Sequence, residues 1–474
     1  MLERVPTGIA GLDPLIEGGL PKGMLLLLAG APGTGKTSMC CKFLEKGAST
    51  HNEKGLYVSF LESKETLMSH LLHQFGPEFS GLVKEGQIQV LAFPSMKREG
   101  VPAIMDAIMA AIKDVGAKRL VIDSVTALYE SFADQLESRI FTHTVLTKLI
   151  PTYGCTTLII KEMSPNEEIG KSPEDFVVDG IVVLRRLAHE RRILRELEIA
   201  KLRGTRLEYT TCQFTLEGGF TVFPQFSHKA LGRTGRLEPI PDSDSHFSTG
   251  HTSMDQILWG GYPRGSTVLF EIGPGVPLTA FGLISYSVTA NFLNQKSPFV
   301  GIQSLGADPS NTQARFENIA GENAVDYARH VEKAREGTEE KRPFIIVLEG
   351  GDPRENVKEY LQAGYKLRQQ TGRPVLWWVS LDHFVDIFSS EYADKALSEL
   401  SAHVIRNKDL AVVLAKPGLE HVTRTVSNIA ATHLRILERD GSLLLYGEKP
   451  RTLLYGVTVD PEKGIRSAKF TPIV

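Results

Sequence analysis

Residues 30–37 read GAPGTGKT, a spacing of glycine, lysine and threonine that is typical of phosphate-binding loops. The glycines would let backbone N–H groups turn inward around an anion, and a following helix would add its partial positive charge. Lys36 would reach the β- and γ-phosphates of a nucleotide, and the Thr37 hydroxyl would bind Mg²⁺. The predicted binding residues are consecutive: Gly30, Ala31, Pro32, Gly33, Thr34, Gly35, Lys36, Thr37 and Ser38.

Two acidic residues close apolar, strand-like runs elsewhere in the chain. Asp123 ends RLVID, where a carboxylate at the carboxyl end of a parallel strand would hold Mg²⁺ through water. Glu62 ends YVSFLE and would orient or deprotonate the attacking water. The alternatives are a helix-capping aspartate and a solvated loop acid. We predict Thr37 and Asp123 as the metal residues and Glu62 as the catalytic base.

The loop requires a strand before it and a helix after it. The run MLLLLA precedes it and SMCCKFLEKGAS follows it, so the sequence predicts this arrangement. Further apolar runs alternate with helical stretches along the chain, which indicates parallel sheets covered on both faces. The predicted fold class is therefore α/β, with mostly parallel central sheets and helices on both sides.

The overall composition excludes several kinds of protein. The formal net charge of −3 gives no overall attraction to nucleic acid or anionic lipid. The four cysteines form no CxxC motif, so neither a zinc site nor a disulfide framework is indicated. The apolar run at 24–29 is far shorter than the roughly 20 residues that cross a bilayer. We expect a cytoplasmic protein that makes no membrane contact.

The chain repeats itself at an offset of 242 positions. The segment RVPTGIAGLDPLIEGGLPKG at 4–23 matches FSTGHTSMDQILWGGYPRG at 247–265, and GAPGTGKT falls on IGPGVPLT at 272–279. A shared offset across two motifs indicates a duplicated domain. We predict a first domain at 1–224, a linker at 225–246 and a second domain at 247–474.

The second copy has lost most of the phosphate-binding chemistry. Leu278 stands where Lys36 stands in the first copy, and Pro277 has no N–H group to offer a phosphate. Either Ser380 or Asp382 matches Asp123, since the alignment allows both. We predict that this domain binds no nucleotide and serves structure, partner binding or ligand sensing.

The sequence TGIAGLD, GGLPKG, GAPGTGKT, YVSFLES, LVIDS and LEIAKLRGT, in this order, resembles the KaiC-like branch of the RecA superfamily of ATPases. The resemblance implies two tandem RecA-like domains, ATP as the nucleotide, and homo-oligomers such as rings or dimers with nucleotide between neighbouring domains. It further implies that Lys201 and Arg203 reach the γ-phosphate of the next protomer. The pair Lys449 and Arg451 keeps the same spacing in the second copy, although exposed strand-end cations are the alternative.

One departure bears on the rate of hydrolysis. KaiC has two adjacent glutamates after the second strand, whereas this chain has Leu61 and Glu62. We therefore expect a slow, Mg²⁺-dependent ATPase with a regulatory or signalling role and a protein partner that the sequence does not identify. The GvpD-like archaeal regulators share the P-loop-bearing plan and are a narrower candidate family.

Two alternative functions remain open at this stage. A non-hydrolysing ATP-binding scaffold would fit the loss at Leu61. A RecA- or RadA-like DNA repair ATPase would need basic DNA-facing loops, yet the loop KEMSPNEEIGKSPED at 161–175 is acidic. The hairpin at 184–204 supplies the one basic patch, with Arg185, Arg192 and Arg195 among its arginines. DNA is therefore not the favoured partner.

Overall fold

A computed structural model describes residues 2–93, 101–129, 152–164, 167, 169–170, 172–227, 237–334, 343–349, 351–460 and 467–474. Contacts within the chain define two compact units. The first comprises Met1–Pro224 together with Pro472–Val474, and the second comprises Gln225–Thr471. Each unit has a large, mostly parallel sheet between helices, so the predicted α/β class is confirmed. Segment 225–246, predicted as a linker, is counted with the second unit.

The first unit is built on a nine-stranded sheet with the order β11-β10-β9-β8-β3-β7-β6-β4-β5. The run from β8 to β5 is parallel, and β9, β10 and β11 extend it by antiparallel pairing. Its strands, with the separate pair β1 and β2, are β1 (Arg4–Val5), β2 (Leu20–Pro21), β3 (Leu25–Gly30), β4 (Gly55–Ser59), β5 (Ile88–Ala92), β6 (Arg119–Asp123), β7 (Thr156–Glu162), β8 (Gly180–His189), β9 (Arg192–Leu202), β10 (Thr211–Thr215) and β11 (Thr221–Val222).

Helices cover both faces of this sheet because its central strand is apolar on both sides. Leu26 and Leu28 share a core with α1 and α2, whereas Leu25 and Leu27 share one with α3 and α4. The described helices of the unit are the 3₁₀ helix Asp13–Ile16, α1 (Lys36–His51), α2 (Lys64–Lys84), α3 (Val101–Val115), α4 (Val125–Tyr129) and α5 (Pro173–Val177). The α2 helix is broken at Gly76, whose φ of 71° is non-helical.

The second unit repeats this plan in a ten-stranded sheet with the order β17-β16-β15-β18-β19-β14-β20-β21-β22-β23. The strands from β17 to β20 run parallel, and β21 and β22 are antiparallel. Its strands are β12 (His246–Phe247), β13 (Tyr262–Pro263), β14 (Ser266–Ile272), β15 (Phe299–Ile302), β16 (Ala328–Lys333), β17 (Ile345–Leu348), β18 (Leu376–Ser380), β19 (Leu410–Ala415), β20 (Thr432–Arg439), β21 (Ser442–Lys449), β22 (Leu454–Val459) and β23 (Ala468–Pro472).

The helices of the second unit also lie on both sides of its sheet. They are α6 (Thr252–Ile257), α7 (Leu278–Asn294), α8 (Pro309–Ala320), the 3₁₀ helix Glu322–Asp326, α9 (Pro353–Thr371), α10 (Leu381–Phe388), α11 (Ser390–Asn407) and α12 (Glu420–Ile429). Val268 and Phe270 of β14 pack in a core with α7 and α8, and Leu269 packs with α9 to α12. Across the described ranges of both units, no helix combines the length and the apolar character needed to span a membrane.

Candidate nucleotide-binding site

The glycine-rich loop of the first unit joins β3, which ends at Gly30, to α1, which begins at Lys36. Gly33 and Gly35 have φ values of 76° and 107°, in the left-handed region that favours glycine. A side chain at Gly30 would place its Cβ atom 2.5 Å from the Leu184 carbonyl oxygen. These glycines therefore have a structural reason to be there, and they bring the loop onto the amino end of α1.

Lys36 is held inside the loop. Its side chain is 5% exposed, and its Nζ atom donates to the carbonyl oxygens of Gly30 at 2.8 Å and Ala31 at 2.9 Å. The same ammonium group lies 3.1 Å from the carboxylate of Glu162, which is about one-third exposed. An incoming anion could take the place of this acid and would keep the buried ammonium group paired.

Asp123 connects the loop to the neighbouring strands. Its carboxylate lies 3.4 Å from the Thr37 hydroxyl and accepts a hydrogen bond from the Tyr57 hydroxyl. Burial raises the pKa of Asp123, and the charge of Glu162 adds to this, although the bond from Tyr57 and the nearby Lys36 oppose it. The structure thus brings Lys36, Thr37 and Asp123 together at one place.

The oxygen donors at this place fit a magnesium ion. The Thr37 hydroxyl and the Asp123 carboxylate are the hard oxygen ligands that Mg²⁺ takes, usually alongside phosphate and water. In the described residues no group of three or more His, Cys, Asp or Glu side chains could hold a metal by itself. A cation here would therefore depend on a bound phosphate for the rest of its ligands.

The structure places Glu62 away from these contacts. It follows β4, is 38% exposed, and its carboxylate lies 3.0 Å from Nδ1 of His70 on α2. The bonds of the described residues do not link it to Lys36, Thr37 or Asp123. Its role as the base therefore stays a prediction.

Glu162 is the site residue that the sequence reasoning did not select. It is the last residue of β7, and it pairs in register with Gly30 at the end of β3. Because parallel strands end at the same edge, the final acid of TTLIIKE could have been placed beside the loop from sequence. From sequence alone, the acidic loop around it indicates only that DNA is not the favoured partner.

Several acids of that loop share one buried lysine. The Lys161 ammonium, which is 5% exposed, lies 3.0 Å from both Glu167 and Glu174 and 3.2 Å from Asp175. Burial acts to lower the pKa of Lys161, but the bond and charge of Glu174 outweigh it, so the pKa is raised. Glu168, another acid of this loop, lies outside the described residues.

Lys201 and Arg203 lie towards the opposite edge of the sheet from the loop. Lys201 is level with Ile181 and hence with Leu27, three residues before Gly30 on β3. At about 3.3 Å per residue, this is roughly 10 Å along the strands. The Lys201 ammonium donates to the carbonyl oxygens of Asp175 at 3.2 Å and Phe176 at 3.3 Å.

Arg203 is further along the chain and 59% exposed, 3.5 Å from the Asp179 carboxylate. Burial and the charge of Arg203 lower the pKa of Lys201. Lys201 and Arg203 do not contact the glycine-rich loop of their own unit. If they contact a nucleotide, it would be one bound by another domain.

The arginine-rich hairpin formed by β8 and β9 is mostly committed to internal bonds. Arg195 is 7% exposed and donates to the carbonyl oxygens of Gly33 and Thr34, both at 3.2 Å, and to that of Val474. Arg185 pairs with Glu196 at 3.3 Å and Glu198 at 2.5 Å. Arg195 therefore holds two carbonyl groups of the glycine-rich loop, a contact that the sequence did not predict.

Strand register resolves which residue of the second unit matches Asp123. Ile122 pairs with Ile159 and so places Asp123 level with Leu28 of β3. Ser380 pairs with Leu414, which pairs with Phe270 of β14, and Phe270 lies 242 positions after Leu28. Ser380 is therefore the counterpart.

The alternative residue, Asp382, lies in the first turn of α10, where its carboxylate pairs with Lys416 at 2.7 Å.

At the loop of the second unit, Pro277 precedes α7, and Leu278 begins this helix with 44% exposure. Lys449 ends β21 and donates to the Ser427 carbonyl oxygen.

The fold and the loop of the first unit define a P-loop domain of the RecA type. Residues 5–226 match the family model described as the KaiC ATPase. The chain is 32% identical over 281 residues to the circadian clock oscillator protein KaiC of Thermostichus vulcanus, covering 56% of this chain and 52% of that protein. It thus spans about half the length of that KaiC protein.

Two further relatives extend the comparison. Protein GvpD2 of Halobacterium salinarum is 26% identical over 478 residues, covering 95% of this chain and 94% of that protein. The solved structure of a KaiC-like protein from Pyrococcus horikoshii is 32% identical, covers 47% of this chain and 100% of that one, and has a TM-score of 0.43. Residues 5–226 form a KaiC-like domain of the RecA superfamily.

Proposed function

We propose that the first unit binds Mg–ATP and hydrolyses it slowly, that the second unit binds no ATP, and that nucleotide turnover regulates assembly or a protein partner. The observation that carries this proposal is the convergence of Lys36, Thr37 and Asp123 at the glycine loop, with Thr37 and Asp123 3.4 Å apart. The KaiC match of residues 5–226 supports ATP as the nucleotide. The regulatory role is suggested by the KaiC relatives, which are named circadian clock oscillator proteins.

The residues divide the work of binding. Phosphate oxygens would replace the Glu162 carboxylate and the two carbonyl oxygens as partners of Lys36, and Gly33 and Gly35 would offer their backbone N–H groups. Thr37 would contribute a ligand to Mg²⁺, with Asp123 behind it. When bound, Mg²⁺ would neutralise charge on the phosphates.

Water activation has two candidate carboxylates. Glu62 is the base that the sequence predicts, and Leu61 in place of a second glutamate makes slow turnover the expectation. Glu162 is the acid nearest to Lys36. Once a phosphate displaces Glu162 from Lys36, the Glu162 carboxylate would lie close to that phosphate and could respond to its presence. We assign the base to Glu62 and the exchange with phosphate to Glu162.

Lys201 and Arg203 would complete a neighbouring site. Their position towards the far edge of the sheet supports action in trans, which requires a homo-oligomer such as a ring or dimer. A cytoplasmic location is part of the same proposal. The scaffold alternative keeps ATP binding without turnover. The DNA-repair alternative receives little support from the hairpin, because Arg185 and Arg195 are engaged in internal contacts.

The test is ATP binding and phosphate release by the purified chain, with and without Mg²⁺ and with and without DNA. Lys36→Ala should abolish both activities, whereas Lys84→Ala, an exposed lysine at the end of α2, should change neither. Binding without Mg²⁺-dependent phosphate release would favour the scaffold. Strong stimulation by DNA would favour the repair ATPase. No ATP binding by the folded chain would refute all three.

A further inference from the structure

The second unit has an open cleft of about 410 Å³ at the carboxyl edge of its sheet. One wall is the loop segment Gly273–Pro274, and the opposite wall is the first half of α12. The charged side chains that line the cleft include Glu271, Lys416, Glu420, Arg424 and Arg435. In parallel α/β sheets this edge is where ligands bind.

Lys416 lies in this cleft at the position that Glu162 has in the first unit. Glu271 pairs with Ala415, just as Ala29 of the first unit pairs with Lys161. The residue after each pair is therefore at the same level, and Lys416 takes the level of Glu162. In the first unit that level lies 3.1 Å from the loop lysine. The second unit has lost the lysine of its helix to Leu278, but it has gained one on the adjacent strand.

The ion pairs in the cleft leave one cation without a partner. Lys416 pairs with Asp382 at 2.7 Å, and Arg435 pairs with Glu271 at 2.9 Å. Within the described part of the chain, Arg424 makes no ion pair or hydrogen bond, and it is exposed on α12.

Glu420, the other acid of the lining, accepts from the Gly418 N–H at 3.0 Å. With Asp382, the partner of Lys416, three acids stand against three cations, and among the described residues Arg424 is the cation of this lining that no acid contacts. A bound anion would give Arg424 a partner.

We propose that this cleft binds a small molecule bearing a phosphate group, with Lys416 and Arg424 as its contacts and Arg435 beside them. Arginine and lysine make charge-assisted hydrogen bonds to phosphate oxygens. A magnesium-bound triphosphate is not the ligand, because Ser380 replaces Asp123 at the metal position and Pro277 removes a loop N–H group. The second unit would then sense a phosphorylated metabolite or phosphate itself while the first unit binds ATP.

The experiment uses the full chain carrying Lys36→Ala, so that the first-unit loop contributes little and failure of the ATPase proposal does not affect the result. Inorganic phosphate, adenosine monophosphate and glucose 6-phosphate are titrated separately by calorimetry at constant ionic strength. Saturable binding of at least one probe is expected. A preference for the two organic esters would identify an esterified ligand, and binding of inorganic phosphate alone would identify the free ion.

Variants in the same background assign the site. Lys416→Ala and Arg424→Ala should each weaken binding by roughly tenfold or more, the loss expected for one charge-assisted hydrogen bond. Glu271→Gln should tighten it by removing a negative charge, an effect that a structural role would not produce. Lys366→Ala, an exposed lysine on α9, is the control. Since Arg424 is exposed, its variant should fold even if Lys416→Ala does not. No saturable binding, or an Arg424→Ala variant that binds like the control, would overturn the proposal.

Discussion

The two units place different side chains at equivalent levels of their own sheets. At the level of Leu28 and Phe270, the first unit has Asp123 and the second has Ser380, which lies 2.7 Å from the Ser304 hydroxyl. One residue after the matched strand residues Lys161 and Ala415, the first unit has Glu162, which pairs with Lys36. At this level the second unit has Lys416, which pairs with Asp382.

The difference shows how little of a P-loop fold is committed to its chemistry. The central strand, its two parallel neighbours and the first helix persist in both units, because they bury apolar side chains on both faces. The polar contacts can be exchanged without disturbing that packing. Lys36, Thr37 and Asp123 form one set, and the second unit has built another from Asp382 and Lys416.

The largest effect is expected where the first unit needs a neighbour. Arg203→Ala should lower the rate of phosphate release by about 10³–10⁵-fold, the value of an arginine supplied in trans. It should spare ATP binding, since Arg203 does not contact its own loop. Mixing Arg203→Ala with Lys36→Ala chains should restore part of the activity, because some mixed interfaces then have both residues. If the mixture stays inactive although both variants assemble, Arg451→Ala tests whether the second unit supplies the charge.

Steady-state kinetics should distinguish the roles of Glu62 and Glu162. Glu62→Gln should lower turnover by about 10²–10⁴-fold at unchanged ATP affinity, as loss of a general base does. Glu162→Gln should tighten ATP binding a few-fold, because Lys36 no longer has an ion pair to break. Glu85→Gln, at the exposed end of α2, is the control. An unchanged rate in Glu62→Gln together with a collapse in Glu162→Gln would transfer the base to Glu162.

The unfolding free energy of the second unit should depend on pH through Asp409. Burial raises the pKa of Asp409 in the second unit to about 6, against the opposing bonds from Val375 and Trp377 and the ion pair with Arg368. The folded state then binds the proton more tightly than the unfolded state, so stability falls as pH rises from about 4 to about 6. The shift corresponds to about 3 kcal/mol. Denaturant titrations should show this slope relative to Asp409→Asn. An identical slope in that variant would contradict the assignment.

Paired tyrosine variants should produce a smaller contrast. Tyr57→Phe removes a hydrogen bond to the buried Asp123 and should cost about 1–3 kcal/mol of unfolding free energy. Tyr360 of the second unit is also buried, but its hydroxyl has no partner among the described residues, so Tyr360→Phe should be neutral or stabilising. Denaturant unfolding of both variants measures the contrast. Equal losses would mean that the bond to Asp123 contributes little.

Much of the fold could be predicted from sequence because its signals are local. Apolar runs such as RLVID define buried parallel strands, and GAPGTGKT defines the loop between β3 and α1. The contacts that depend on register between distant strands could not be read in the same way. Arg195 beside Gly33 and the choice of Ser380 over Asp382 each required the paired strands, whereas the strand ends alone could have placed Glu162 beside Lys36.

The number of nucleotides bound per chain tests the contrast between the units most directly. Calorimetric titration of the full chain with Mg²⁺ and a non-hydrolysable ATP analogue should give one tight site, which Lys36→Ala removes and Leu278→Ala leaves intact. The account predicts this because only the first unit brings a loop lysine, a threonine and an aspartate together. Two equivalent sites per chain, or one site that survives Lys36→Ala, would contradict it.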